Sequence, residues 1–171
     1  SYGSTGNQNN LKSQSKVEQT IVNLLMNSSF QHDDTKWTFS NGSGGSTGTG
    51  SFSTTEKYSD SRSYKIDKTN SADLSSVSQN ATLSANKTYT LSGYVKTTAM
   101  DSDAKAYLKV TYGSAPNDFV KSDEITGIKD WERYSATFTM PSSPSTYSTK
   151  VELIVEGGVG AVYFDAIQLE E

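Results

Sequence analysis

From residue 88 onward, apolar and polar positions alternate with a period of two. In KTYTLSGYVK, Tyr89, Leu91, Gly93 and Val95 alternate with Thr90, Ser92, Tyr94 and Lys96. In AYLKVTY, Ala106, Leu108, Val110 and Tyr112 alternate with Tyr107, Lys109 and Thr111. WERYSATFTM sets Tyr134, Ala136, Phe138 and Met140 against Arg133, Ser135, Thr137 and Thr139, and KVELIVE sets Val151, Leu153 and Val155 against Glu152, Ile154 and Glu156. AVYFDAIQLEE adds a strand after the Gly157-Gly158 turn. A residue repeat of two points alternate side chains to opposite faces, so these segments predict antiparallel strands with one buried face. Weaker strands are expected near 51–55, 62–66 and 73–83, which brings the total to about ten. Upstream, IVNLLM (21–26) reads as a first strand and KWTFS carries the strand-like pair Trp37 and Phe39. The run NGSGGSTGTG (41–50) predicts an exposed loop, because glycine adds backbone freedom and no side chain to pack. Residues 1–20 read as a linker or the end of a preceding module, and 21–171 as one domain. That many inner faces need two packed sheets, so the fold class is all-β: an antiparallel β-sandwich of jelly-roll topology.

Composition narrows the function classes. A chain of 171 residues carries one self-sufficient core. Only 33% of residues are hydrophobic, but 11% are aromatic, which argues for a folded chain. The net charge of −4, without a Lys/Arg cluster, argues against a phosphate-binding surface and hence against nucleic acid as a partner. No apolar run is long enough to span a bilayer, so no membrane insertion is expected. Cysteine is absent, which excludes disulfides and thiolate metal sites. With the Ser/Thr/Asn/Gly enrichment, this suggests a secreted or surface-displayed bacterial protein, and the abrupt start and finish suggest a piece tethered to other domains of the same chain.

Four stretches carry a family resemblance. NLLMNSSFQ (23–31), KTYTLSGYVKT, DWERYSATFTMP and VYFDAIQLEE, in this order and spacing, resemble the carbohydrate-binding modules of the family 4, 9 and 22 type, a galactose-binding-like jelly roll. The leading YGSTGNQ and the ending DAIQLEE also resemble modules embedded in bacterial YD-repeat (rearrangement-hotspot type) surface proteins. The resemblance implies a non-catalytic module that binds polysaccharide or cell-wall glycan. It also implies a structural calcium where the first and last strands meet. The matching positions are Ser29 (backbone), Gln31, Asp60, Ser63 (backbone) and Asp165, with Gln31 standing where the group usually has glutamate. Calcium takes six to eight oxygens, so the loss of one carboxylate weakens such a site.

A sugar site needs solvent-facing aromatic rings for the C–H face of a pyranose and polar groups for its hydroxyls. If the strands around 88–96 and 106–112 form a hairpin, outward Tyr94 falls opposite Tyr107, flanked by Lys96 and Lys109. Glu152 and Glu156 then face the same side from a later strand. These six are the candidate ligand-binding residues. Relatives often carry an aromatic in the stretch matching ADLSSVSQN (72–80), which has none. That favours the alternative, a structural spacer domain of a YD-repeat-type protein without sugar affinity. Trp131 reads as packing at the start of its strand. His32, the only histidine, lies in a polar turn and offers no usable triad, and the glycines at 42–50 lack the lysine and helix of a phosphate loop. The expectation is therefore a protein that is not an enzyme.

Overall fold

The computed structural model describes residues 22–32 and 36–171; the linker expected over 1–20, and Ile21, lie outside the described residues. The described chain forms ten strands: β1 (Thr38–Ser40), β2 (Gly48–Ser53), β3 (Ser63–Lys68), β4 (Leu74–Ser84), β5 (Thr88–Met100), β6 (Lys105–Thr111), β7 (Phe119–Lys121), β8 (Lys129–Thr139), β9 (Thr146–Glu156) and β10 (Gly160–Glu170). They build two five-stranded sheets: a front sheet ordered β1-β4-β9-β6-β7 and a back sheet ordered β2-β3-β10-β5-β8. Every pairing is antiparallel. The all-β jelly-roll sandwich read from the alternation is the observed architecture.

The inner faces follow the sequence period. Leu91 and Val95 of β5, Ile66 of β3, and Val162 and Phe164 of β10 are fully buried from the back sheet. Leu108 and Val110 of β6, Val77 of β4, and Val151, Leu153 and Val155 of β9 meet them from the front sheet. Gly93 marks a tight point between the layers: a Cβ there would come within 2.5 Å of Ile167 and 3.4 Å of Leu108. One end of the sandwich is closed by aromatic rings. Phe30 is inaccessible, with its ring 5.3 Å from Trp37, 5.6 Å from Tyr64 and 6.5 Å from Phe52.

Three sequence expectations need correction. First, β5 and β6 do not form a hairpin: β5 pairs with β10 and β8, and β6 with β9 and β7. At 101–104 the chain crosses from the back sheet to the front, pinned by the Asp101 N–H to the Val159 carbonyl and the Ala104 N–H to the Asp101 carbonyl. Each strand has one apolar face, and placing the two in opposite layers lets those faces cover each other. Second, the described part of the expected first strand is irregular. It runs beside the outer half of β10, where β3 has ended, through Leu24 N–H to Leu169 O and Ile167 N–H to Ser28 O. A register shift between Asp165 and Gln168 of β10, with Ala166 at φ 48°, accommodates it. Third, the glycine-rich run 41–50 ends inside β2. A Cβ on Gly50 would lie 2.2 Å from the Tyr64 hydroxyl and 2.5 Å from the Phe39 ring, so glycine here permits close packing of a strand.

Candidate functional site

The six candidate ligand residues divide between two faces of the sandwich. Tyr94 and Lys96 project from the outer side of the back sheet, whereas Tyr107, Lys109, Glu152 and Glu156 project from the outer side of the front sheet. The expected Tyr94–Tyr107 pair is therefore a correction: the rings lie on opposite sides of the core because their strands belong to different layers.

The front sheet gathers the other four in three cross-strand rows. Register places Ser40, Ser76, Ile154 and Tyr107 in one row across β1, β4, β9 and β6. Three of them form a sunken floor, with exposures of 3% for Ser76, 1% for Ile154 and 5% for Tyr107. One wall is the row Ser78, Glu152, Lys109 and Lys121, and the other is Leu74, Glu156 and Lys105. The floor crosses two inter-strand spacings, about 10 Å. Each wall lies two residues along the strand from the floor, so the walls stand roughly 13 Å apart.

The walls are charged and internally paired. Lys105 Nζ lies 3.6 Å from Glu124 and 3.9 Å from Glu156, Lys121 Nζ lies 2.7 Å from Glu124, and Lys150 Nζ lies 3.7 Å from Glu152. The ring faces are taken by cations: Lys121 Nζ sits 4.8 Å from the Tyr107 centroid and Lys109 Nζ 4.5 Å from that of Phe119. The hydrogen bond from Lys121 holds the Glu124 carboxyl below its usual range. Burial, followed by the charge of Glu156, pushes the Tyr107 phenol well up.

Two further phenols rise to about 12, Tyr64 by burial and Tyr134 by burial together with Glu132. A phenol raised by folding stabilises the fold below its unfolded value, and that contribution is lost as pH rises through the folded one. Tyr64 moves from 10.0 to about 12, a shift worth roughly 3 kcal/mol. We expect the urea midpoint to fall between pH 10 and 12, with late tyrosinate absorbance from these phenols. A midpoint unchanged across that window contradicts the assignment.

The five positions matched to a calcium site lie around the β2–β3 loop. Gln31 donates from its amide nitrogen to the carbonyls of Ser29 and Arg62, and its oxygen accepts from the Ser61 N–H and hydroxyl. Asp165 is inaccessible; its Oδ2 accepts from Tyr58 N–H and Ser59 N–H, both at 2.9 Å, and its Oδ1 from Ala166 N–H at 2.7 Å. Burial raises the Asp165 carboxyl, against the pull of those three N–H groups, and the nearby negative charge of Asp60 adds to the rise. The Ser63 hydroxyl donates to the Glu56 carbonyl. A hard cation needs oxygens turned to one point. Here N–H groups are turned toward them, and the described residues hold no group of three or more His, Cys, Asp or Glu suited to a metal. As arranged, the hydrogen bonds of Gln31 and Asp165 bolt the loop carrying Tyr58 to the closing strand.

That loop holds the site residue the sequence reading left unassigned. Tyr58 stacks on Tyr94 with ring centroids 3.5 Å apart and planes at 11°, and Trp131 stands 6.0 Å from Tyr58 at 56°. Trp131 thus faces outward beside a ring rather than merely packing at the start of β8. Its parity with Arg133 and Ser135 was the available signal. Lys96, two residues along β5 from Tyr94, lies 3.0 Å from Glu56 and 3.8 Å from Asp130, and the hydrogen bond it donates to Glu56 raises its pKa. At one end of the sandwich, a cavity of about 550 Å³ is lined by Tyr112, Asp118, Pro144 and Tyr147 among others.

The fold is a two-layer jelly roll with one charged-walled trough on the outer face of its front sheet. The family model for a carbohydrate binding domain matches residues 22–161, and the chain belongs to that family. Solved structures agree in fold. A family 61 carbohydrate-binding module, in complex with β-1,4-galactotriose, is 20% identical at a TM-score of 0.62, over 88% of this chain and 99% of that one. The family 22 xylan-binding domain of a Paenibacillus barcinonensis protein is 17% identical at 0.59, over 83% and 90%. The enzymatically active domain of a bacteriophage CBA120 tailspike is 16% identical at 0.67; the match covers 87% of this chain but only 21% of the tailspike's length. A search among curated proteins finds no match.

Proposed function

We propose that this domain binds polysaccharide without catalysing its turnover, along the trough on the front sheet, as part of a larger secreted or cell-surface bacterial protein. The carrying observation is the sunken Ser76–Ile154–Tyr107 row between two charged walls, which sets a shallow floor between rows of hydroxyl-binding groups. Glu152 and Glu156 accept from sugar hydroxyls, and Lys109 and Lys105 donate to them. Tyr107 supplies an apolar edge once Lys121 swings aside. The comparisons support the reading through family membership, and two neighbours are themselves glycan binders by description. Among the described residues no helix is long and apolar enough to cross a membrane. Embedding in a YD-repeat surface protein is the parent context we favour for a tethered module.

The test is retention in native gels cast with xylan, galactan, β-glucan or mannan. We expect retention of the wild type and at least a tenfold weaker interaction for Tyr107→Ala combined with Glu152→Gln, consistent with the loss of one aromatic and one charge-assisted contact. Equal retention of the two proteins removes the trough from consideration. A second reading, a spacer that has kept the fold without sugar affinity, is favoured by the lysines over Tyr107 and Phe119, which occupy the ring faces a pyranose would use.

A further inference from the structure

We infer that the outer face of the back sheet carries a second glycan subsite, built by Tyr58, Tyr94 and Trp131 and independent of the front trough. Tyr58 is 47% exposed although one of its faces lies flat on Tyr94, so part of the ring remains open to solvent. Trp131, 6.0 Å away and tilted at 56°, sets a second apolar ring at an angle to it, a corner of two apolar sides. A corner of this kind accepts the C–H face of a pyranose on one ring and its edge on the other.

The corner is held before any ligand arrives. The Tyr58 and Ser59 amides are fixed by the inaccessible Asp165 carboxylate, Gln31 grips the Ser61 amide and hydroxyl, and the Ser63 hydroxyl holds the Glu56 carbonyl. An exposed ring on a loop tied down from three sides has little ordering left to lose on binding. The rim supplies hydroxyl partners of both kinds: Glu56 and Asp130 as acceptors, and Lys96 and Arg133 as donors, the last opposite Tyr94 in register. Two negative and two positive groups leave the rim without a net sign. The ligand class is therefore a neutral glycan rather than a uronate or an amino sugar.

Trp131 reports on the site directly, because Trp37 is buried at the aromatic end of the core and stays silent. Oligosaccharides of xylan, galactan, β-glucan and mannan are titrated while tryptophan emission is followed. For a binding glycan we expect a blue shift in the wild type that persists in Tyr107→Ala and weakens at least tenfold in Tyr58→Ala. Tyr58 is a loop residue whose side chain supports no core, and unchanged unfolding of that variant confirms its fold. An emission shift equal in Tyr58→Ala and wild type overturns the subsite, as does no shift with any glycan. Gel retention that Tyr107→Ala with Glu152→Gln abolishes, without any Trp131 response, leaves the front trough standing and removes only this proposal. A Trp131 response lost in Tyr58→Ala, with retention indifferent to the front-sheet variants, does the reverse.

Discussion

Asp165→Ala is expected to lower the thermal midpoint by about 10 °C and to free the β2–β3 loop for proteolysis. The carboxylate is inaccessible and accepts from three backbone N–H groups, two of them on residues 106 and 107 positions away. Its removal leaves those donors facing an apolar methyl, at a cost of about 4 kcal/mol. For a chain of this length each kcal/mol moves the midpoint by about 2–4 °C. The same experiment addresses calcium. If the donor set is the hydrogen-bonded anchor described above, adding calcium or a chelator leaves the wild-type midpoint in place. Gln31→Glu, which replaces the amide donors toward Ser29 and Arg62 with a carboxylate oxygen, is the variant expected to gain a calcium-dependent rise. A rise in the wild type that Asp165→Ala abolishes would reinstate the cation and overturn the anchor.

The parity of β5, β6, β8 and β9 was legible in the sequence, and the partner of each was not. Alternation assigns Leu108 inward and Lys109 outward from local order alone, because the β pleat repeats every two residues. It carries no information on which strand lies beside β6, which depends on the crossing at 101–104 and on burial summed over the whole sandwich. Four of the six candidate residues share one face for this reason. Lys109 and Glu152 do face each other across β6 and β9, while Tyr94 went to the other layer. Tyr58 was illegible for a different reason. Its loop has no periodicity, and the contact that positions it comes from Asp165, far along the chain. The glycine run misled because Gly48 and Gly50 were read for flexibility, whereas their use here is close approach.

Phe30→Ala is expected to be the most damaging single substitution outside the central strands. Phe30 is inaccessible at φ 60°, in the irregular segment that seals one end of the sandwich, and its ring touches those of Trp37 and Tyr64. Its truncation removes a buried aromatic and leaves a void the tied backbone cannot close: Asn27 O accepts from Phe30 N–H and from Trp37 Nε1. Large-to-small changes of this kind cost about 3–5 kcal/mol, a sizeable share of the roughly 5–15 kcal/mol that holds a domain folded. Urea unfolding of Phe30→Ala beside Phe30→Leu separates volume from backbone strain. Both variants keep a non-glycine residue at the left-handed position, so a Leu variant close to wild type assigns the loss to packing. An Ala variant within about 1 kcal/mol of wild type, a typical effect for an ordinary substitution, means the aromatic end is not what fastens the opening segment to the sandwich.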